Sequence, residues 1–155
     1  MREAHDIALL LKARGWRIAV AESCTGGLLG HEITQVSGSS AYFLGGVIAY
    51  ADDVKMGLLG VSEASLIRWG AVSAQVALEM AAGARRQIGA EVGVSITGIA
   101  GPTGGTAEKP VGLTYIGLAA PHERRTWRHV WSGDRTENKR ASVRAALAHL
   151  RRYLE

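Results

Sequence analysis

The stretch Trp16-Arg17-Ile18-Ala19-Val20-Ala21-Glu22-Ser23-Cys24-Thr25-Gly26-Gly27-Leu28-Leu29 passes from small and β-branched residues, through a polar glycine-rich turn, into an apolar run. Trp16 to Ala21 has the loose alternation of a strand, and Leu28, Leu29 and Ile33 continue at helical spacing. The segment therefore reads as strand, loop and helix N-terminus. A helical stripe of Ala4, Ile7, Ala8, Leu10 and Leu11 precedes it, stopped by Gly15 at a left-handed position. Downstream, Gly46 to Tyr50 reads as a short strand. Ser62 and Ser73 read as N-caps of two helices, Glu63 to Trp69 and a longer one through Val76, Met80 and Ile88. Glu91 to Thr97, Val111 to Ala120 and Thr126 to Trp131 follow as strands, the last two joined at Pro121-His122. Asp134 caps a final helix reaching Tyr153. The order α-β-α-β-α-α-β-β-β-α mixes crossover units with a late hairpin, which predicts a three-layer α/β/α sandwich with a mixed sheet.

The bulk numbers fit one domain spanning residues 1 to 155, a length that can bury a core without disulfides or metals. A content of 47% hydrophobic and 21% charged residues excludes a disordered chain. One cysteine, Cys24, leaves no internal bridge, and the N-terminus has no secretory pattern, so a cytoplasmic location is expected. Apolar runs such as Ile7 to Leu11 are far shorter than the roughly 20 residues of a bilayer span, so no membrane partner is expected. The formal charge of +4 suits either nucleic acid or small phosphorylated anions. Much of the excess lies after Arg124 and reads as a solvated helix face. No nucleic-acid motif or aromatic stacking platform accompanies it, so nucleic acid is not expected as a partner.

Common catalytic signatures are missing: no nucleophile elbow, Walker loop or dinucleotide fingerprint. His31-Glu32 is followed by Gln35 where a zinc helix needs a second histidine, so neither metal nor cofactor is expected. The turn Ser23 to Gly27 could expose backbone N–H groups to an anion, or Ser23 or Thr25 could simply cap the helix. Glu22 would repel a phosphate there unless its charge is taken up elsewhere. Thr97 and Ser95 share a strand face, where they line a pocket or bond within the sheet. The loop Thr97 to Pro110 is too glycine-rich to pack a core, and its length favours binding. Ser40 and Lys55, with Tyr50 between them, have the composition of a serine nucleophile with a lysine base. The amine could serve only if burial or a nearby cation lowered its pKa from about 10.4. On spacing alone Lys55 reads as a surface residue.

Taken together, Ala21 to Gly27, Gly38-Ser39-Ser40 leading through Gly45-Gly46-Val47 to Tyr50 and Lys55, Gly70 to Ser73, Ser95 to Pro102 and Lys109 to Gly112 resemble the CinA C-terminal domain family. Its stand-alone members include nicotinamide-nucleotide amidohydrolases, and a chain starting at the module's first helix looks like that form. The resemblance implies self-association and conversion of nicotinamide mononucleotide to nicotinate mononucleotide and ammonia. It implies catalytic roles for Ser40, Tyr50 and Lys55, and a pocket hydroxyl at Thr97. For the substrate we expect contacts from Ser23, Thr25, Gly26, Gly27, Thr97, Gly98 and Arg135. A non-catalytic nucleotide-binding regulator is the other reading that the resemblance leaves open.

Overall fold

A computed structural model describes residues 2–155. Helix α1 (Arg2–Arg14) leads into strand β1 (Ile18–Glu22), helix α2 (Leu28–Thr34), a 3-10 turn at Ser39–Ala41 and strand β2 (Phe43–Ile48). Three helices follow, α3 (Asp52–Leu59), α4 (Glu63–Trp69) and α5 (Ala74–Ile88). Strands β3 (Val92–Gly98), β4 (Leu113–Ala120) and β5 (Glu123–Val130) then lead to helix α6 (Arg135–Leu154).

The five strands form one mixed sheet in the order β2-β1-β3-β4-β5. Strand β1 lies parallel to both β2 and β3, whereas β3, β4 and β5 form an antiparallel meander. Alternation in β1 sends Ile18 and Val20 into a core with α1, α2 and α6, and Ala19 and Ala21 into a second core with α3 and α5. The expected α/β sandwich is what forms. Small residues let α5 lie close to the sheet: a Cβ on Gly117 would collide with the Ala77 carbonyl of α5. Ser95 itself donates to the Ala77 carbonyl, so its hydroxyl serves the sheet-to-helix contact.

Two readings change. The strand expected at Gly46 to Tyr50 lies earlier, at Phe43–Ile48, and Asp52–Leu59 is a helix that the sequence pattern did not announce. Its N-cap residue, Ala51, offers no side-chain acceptor, and Gly57 interrupts its interior. Only Asp52 and Asp53 in the first turn and left-handed Gly60 at the stop mark it.

These connections position the site. From β1 the chain crosses through α2 to β2 on one side, then through α3, α4 and α5 to β3 on the other. Strand order therefore reverses at β1, and in open α/β sheets the crevice at such a reversal, beyond the carboxyl ends of the strands, is where ligands bind.

Candidate active site

A cavity of about 320 Å³ occupies that crevice. Ser23 and Cys24 enter it from the end of β1, Thr97 and Gly98 from β3, Tyr50 from the segment after β2, Asp52 and Lys55 from α3, and Arg135 from the first turn of α6. The loop Ile99 to Gly104 forms its outer wall.

Lys55 is the unusual group. It is only 1% exposed, and its Nζ donates to the Tyr50 carbonyl at 3.0 Å. Asp52 Oδ1, on a carboxylate open to water, stands 3.7 Å away. Burial lowers the Lys55 pKa and outweighs the opposing pull of Asp52. The amine also sits in the first turn of α3, where the helix dipole disfavours a cation. The result is an amine disposed to lose its proton inside a cleft.

Around it the polar groups are held in place. Arg135 donates through Nη1 to the Gly101 carbonyl at 2.7 Å and through Nη2 to the Tyr50 hydroxyl at 3.4 Å, tying the loop, the tyrosine and α6 together. Asn138, buried one turn later, donates to the Ala100 carbonyl at 3.0 Å. Thr97 Oγ1, which lines the cavity, donates to the Ala71 carbonyl at 2.9 Å. Cys24 is buried, and burial pushes its thiol up to about 11, so it is a poor nucleophile at neutral pH.

The structure thus gathers Ser23, Tyr50, Lys55, Thr97, Gly98 and Arg135 at one cavity, and it separates the remaining expected residues from it. Thr25, Gly26 and Gly27 line a neighbouring cavity of about 450 Å³ together with His31, Lys139 and Arg140. The turn is also not an open anion cradle. Glu22 accepts from Thr25 Oγ1 at 2.7 Å, from the Leu29 amide at 2.8 Å and from the Gly30 amide at 3.0 Å. Those donors at the start of α2, including the hydroxyl expected to meet phosphate, are occupied by a carboxylate of the chain itself.

Ser40 requires the larger correction. It is exposed on the 3-10 turn that precedes β2, whereas Tyr50 and Lys55 follow β2. The strand between them covers about 17 Å at a rise of ~3.3 Å per residue, so Ser40 and Lys55 of one chain lie at opposite ends of the sheet. Lys55 cannot take a proton from the Ser40 of its own chain in this arrangement. Asp52 and the Ala71-Val72 wall are cavity residues that motif reading did not single out as such. The acid pair Asp52-Asp53 three residues before the lysine was the available signal for Asp52.

Residues 2–154 match the CinA C-terminal domain. This chain belongs to the CinA C-terminal domain family. Within it, the chain is 52% identical over 151 residues to a "Putative competence-damage inducible protein" of Halothermothrix orenii, covering 97% of this chain and 37% of that protein. It is 55% identical over 144 residues to a "CinA-like protein" of Salinibacter ruber, covering 93% of this chain and 35% of that one. The chain thus spans little more than a third of the length of these curated relatives. Among solved members of the family, the competence/damage inducible protein CihA of Agrobacterium tumefaciens superposes with a TM-score of 0.92 at 41% identity, over 99% of this chain and 93% of that one. The competence damage-inducible protein A of Klebsiella pneumoniae gives 0.95 at 33% identity, over 99% and 95%.

Proposed function

We propose that this chain is an amidohydrolase that converts the carboxamide of nicotinamide mononucleotide to the carboxylate, releasing ammonia. The observation that carries the reading is Lys55: an amine at the crevice beyond the parallel strands of the mixed sheet, buried, lowered in pKa and flanked by Tyr50, Thr97 and Arg135. A neutral amine in that position is a general base, and amide hydrolysis through a serine is a reaction that needs one. The hydroxyl is assigned to Ser40, as the resemblance implies, and would come from a second copy of the chain, because the Ser40 of the same chain lies at the other end of β2. As the serine oxygen bonds to the carboxamide carbon, its proton passes to Lys55 Nζ. Collapse of the tetrahedral adduct breaks the C–N bond, and ammonia leaves with that proton. Water then adds to the acyl-serine, again giving a proton to Lys55, and the proton returns to the serine oxygen as the carboxylate departs. Arg135, anchored on Gly101, is the nearest fixed cation for the negative charge of the nucleotide.

A second reading, a nucleotide-binding regulator without turnover, draws support from the separation of Ser40 and Lys55 within one chain. Incubation of purified protein with nicotinamide mononucleotide separates the two. The hydrolase predicts ammonia and nicotinate mononucleotide, both abolished in Lys55→Met. Tight binding with no ammonia would leave only the regulator. Nicotinamide riboside in parallel sets the phosphate requirement.

A further inference from the structure

The turn Thr25-Gly26-Gly27 and the basic face of α6 have no part in the Lys55 cavity, yet together they line the second one, of about 450 Å³. The two cavities are neighbours with no lining residue in common. Cys24 borders the first and Thr25 the second, and on α6 Arg135 borders the first and Thr136 the second. Thr136, Lys139 and Arg140 reach the second cavity at a spacing of three and four, one face of the helix, and Leu28 and His31 reach it from α2.

Lys139 and Arg140 bring two positive charges to this wall, and no carboxylate lines it. The acid nearest to the turn in the chain, Glu22, is buried and directs both oxygens to Thr25, Leu29 and Gly30. Among the described residues, the side chains of Lys139 and Arg140 make no hydrogen bond or ion pair. The basic run after Arg124 reads in the sequence as a solvated helix face, and Lys139 departs from that. It is half-buried, and its Nζ stands 3.8 Å from where a Gly26 side chain would begin. Gly26 has a φ of 59°, so the turn beneath the amine depends on glycine. Along α6, Arg135 and Lys139 stand four residues apart, as do Arg140 and Arg144, a spacing at which like charges destabilise a helix. A local cost kept without a structural return is what a binding site shows, and an anion seated among these side chains would relieve it.

The chemistry of the wall selects the ligand. Two neighbouring cations and the Thr136 hydroxyl match the several oxygens of a phosphate dianion. Thr25 already donates its proton to Glu22, so it adds no donor. The volume is that of a small-molecule site, about 300 to 1,000 Å³, and Leu28 offers apolar surface to whatever carries the phosphate. We infer that this cavity binds a phosphomonoester separately from the Lys55 cavity, with Lys139 and Arg140 on the phosphate and Thr136 donating to it. The site stands on its own residues and does not depend on what the Lys55 cavity hydrolyses.

Titration calorimetry at low salt tests it, with inorganic phosphate and ribose 5-phosphate as probes and ribose as the control. Wild type should bind both phosphates, more weakly as salt rises, and should not bind ribose. Lys139→Gln combined with Arg140→Gln should weaken binding by about tenfold or more, as charge-assisted bonds are lost. Arg135→Gln, which alters only the first cavity, should bind the probes as wild type does. The double variant removes like charges and should melt no lower than wild type, which excludes unfolding as the cause. Lys55→Met protein saturated with nicotinamide mononucleotide, which it does not turn over, should still take up inorganic phosphate. No binding of either phosphate at millimolar concentration overturns the site, and so does undiminished binding by the double variant. Competition between the mononucleotide and phosphate, or an equal loss in Arg135→Gln, makes this cavity the phosphate end of the substrate site and overturns its independence. A wild type that releases no ammonia sinks the hydrolase reading and leaves the titration to decide this one.

Discussion

Lys55 has two effects of opposite kind, one on stability and one on rate. Between its lowered folded pKa and the unfolded value of about 10.4, the native chain binds fewer protons at this group than the unfolded chain. Stability from this group therefore rises with pH through that window and is lost as pH falls through it. Lys55→Met keeps most of the buried stem and removes the desolvated charge. It should be more stable than wild type at pH 7 by about 1 kcal/mol in urea unfolding, with the gain shrinking as pH approaches 10. The same substitution should lower ammonia release by about 10² to 10⁴-fold, the span of a general base. In the wild type, activity should rise with pH along a limb set by the lowered pKa of Lys55, below that of an ordinary lysine. A substitution that stabilises while it inactivates is hard to explain by a structural lysine.

At the scale of elements, the opposite case is Glu22, where a buried charge stabilises because it is fully bonded. It closes the N-terminus of α2 and takes the Thr25 hydroxyl. Glu22→Ala should cost about 3 kcal/mol in urea unfolding, since two buried amides and a hydroxyl lose a charged acceptor. Ser62→Ala, which removes an exposed cap on α4, should cost about 1 kcal/mol. These two helix starts also show what the sequence could reveal. Caps with a local side chain were legible: Ser62, Ser73 and Asp134 all accept from the amide expected of a cap. The cap at α2 was not, because its acceptor lies before the loop, seven and eight residues ahead of the amides it meets. The candidate site divides in the same way. Residues at or just past the carboxyl end of a strand, such as Thr97 and Ser23, could be placed because all parallel strands end at one edge. Ser40 was misplaced although a strand was expected before Tyr50: that strand lies earlier, at Phe43–Ile48, so the short interval from Ser40 to Tyr50 runs from one end of the sheet to the other.

For the whole molecule, α6 lies along the sheet and meets β5 where Trp127 stacks on His149 at 4.2 Å, next to His129, which stacks on Trp131 just past β5 at 4.7 Å. The two histidines share a hydrogen bond of 2.9 Å between their Nε2 atoms, which requires one imidazole to donate and the other to accept. Protonating both destroys that bond and sets two cations side by side. Burial, followed by the charges of His129 and Arg152, lowers the His149 pKa to about 4, and burial lowers His129 as well. Because the folded pKa lies below the unfolded value of about 6.5, the native chain binds fewer protons than the unfolded chain between them. The contribution is fully present above pH 6.5, declines as pH falls toward 4, and is constant below that. The melting temperature should therefore drop from pH 6.5 to 4, and His149→Phe, which keeps the stack on Trp127 without a titrating nitrogen, should flatten that drop. Since α6 also carries Arg135 and Asn138 to the wall of the cavity, acid loosening of this seam should release the loop at Gly101 before β1 and β3 unfold. Hydrogen exchange at pH 4.5 would detect it as early loss of protection in α6 and β5, and uniform loss across the sheet would refute the sequence of events.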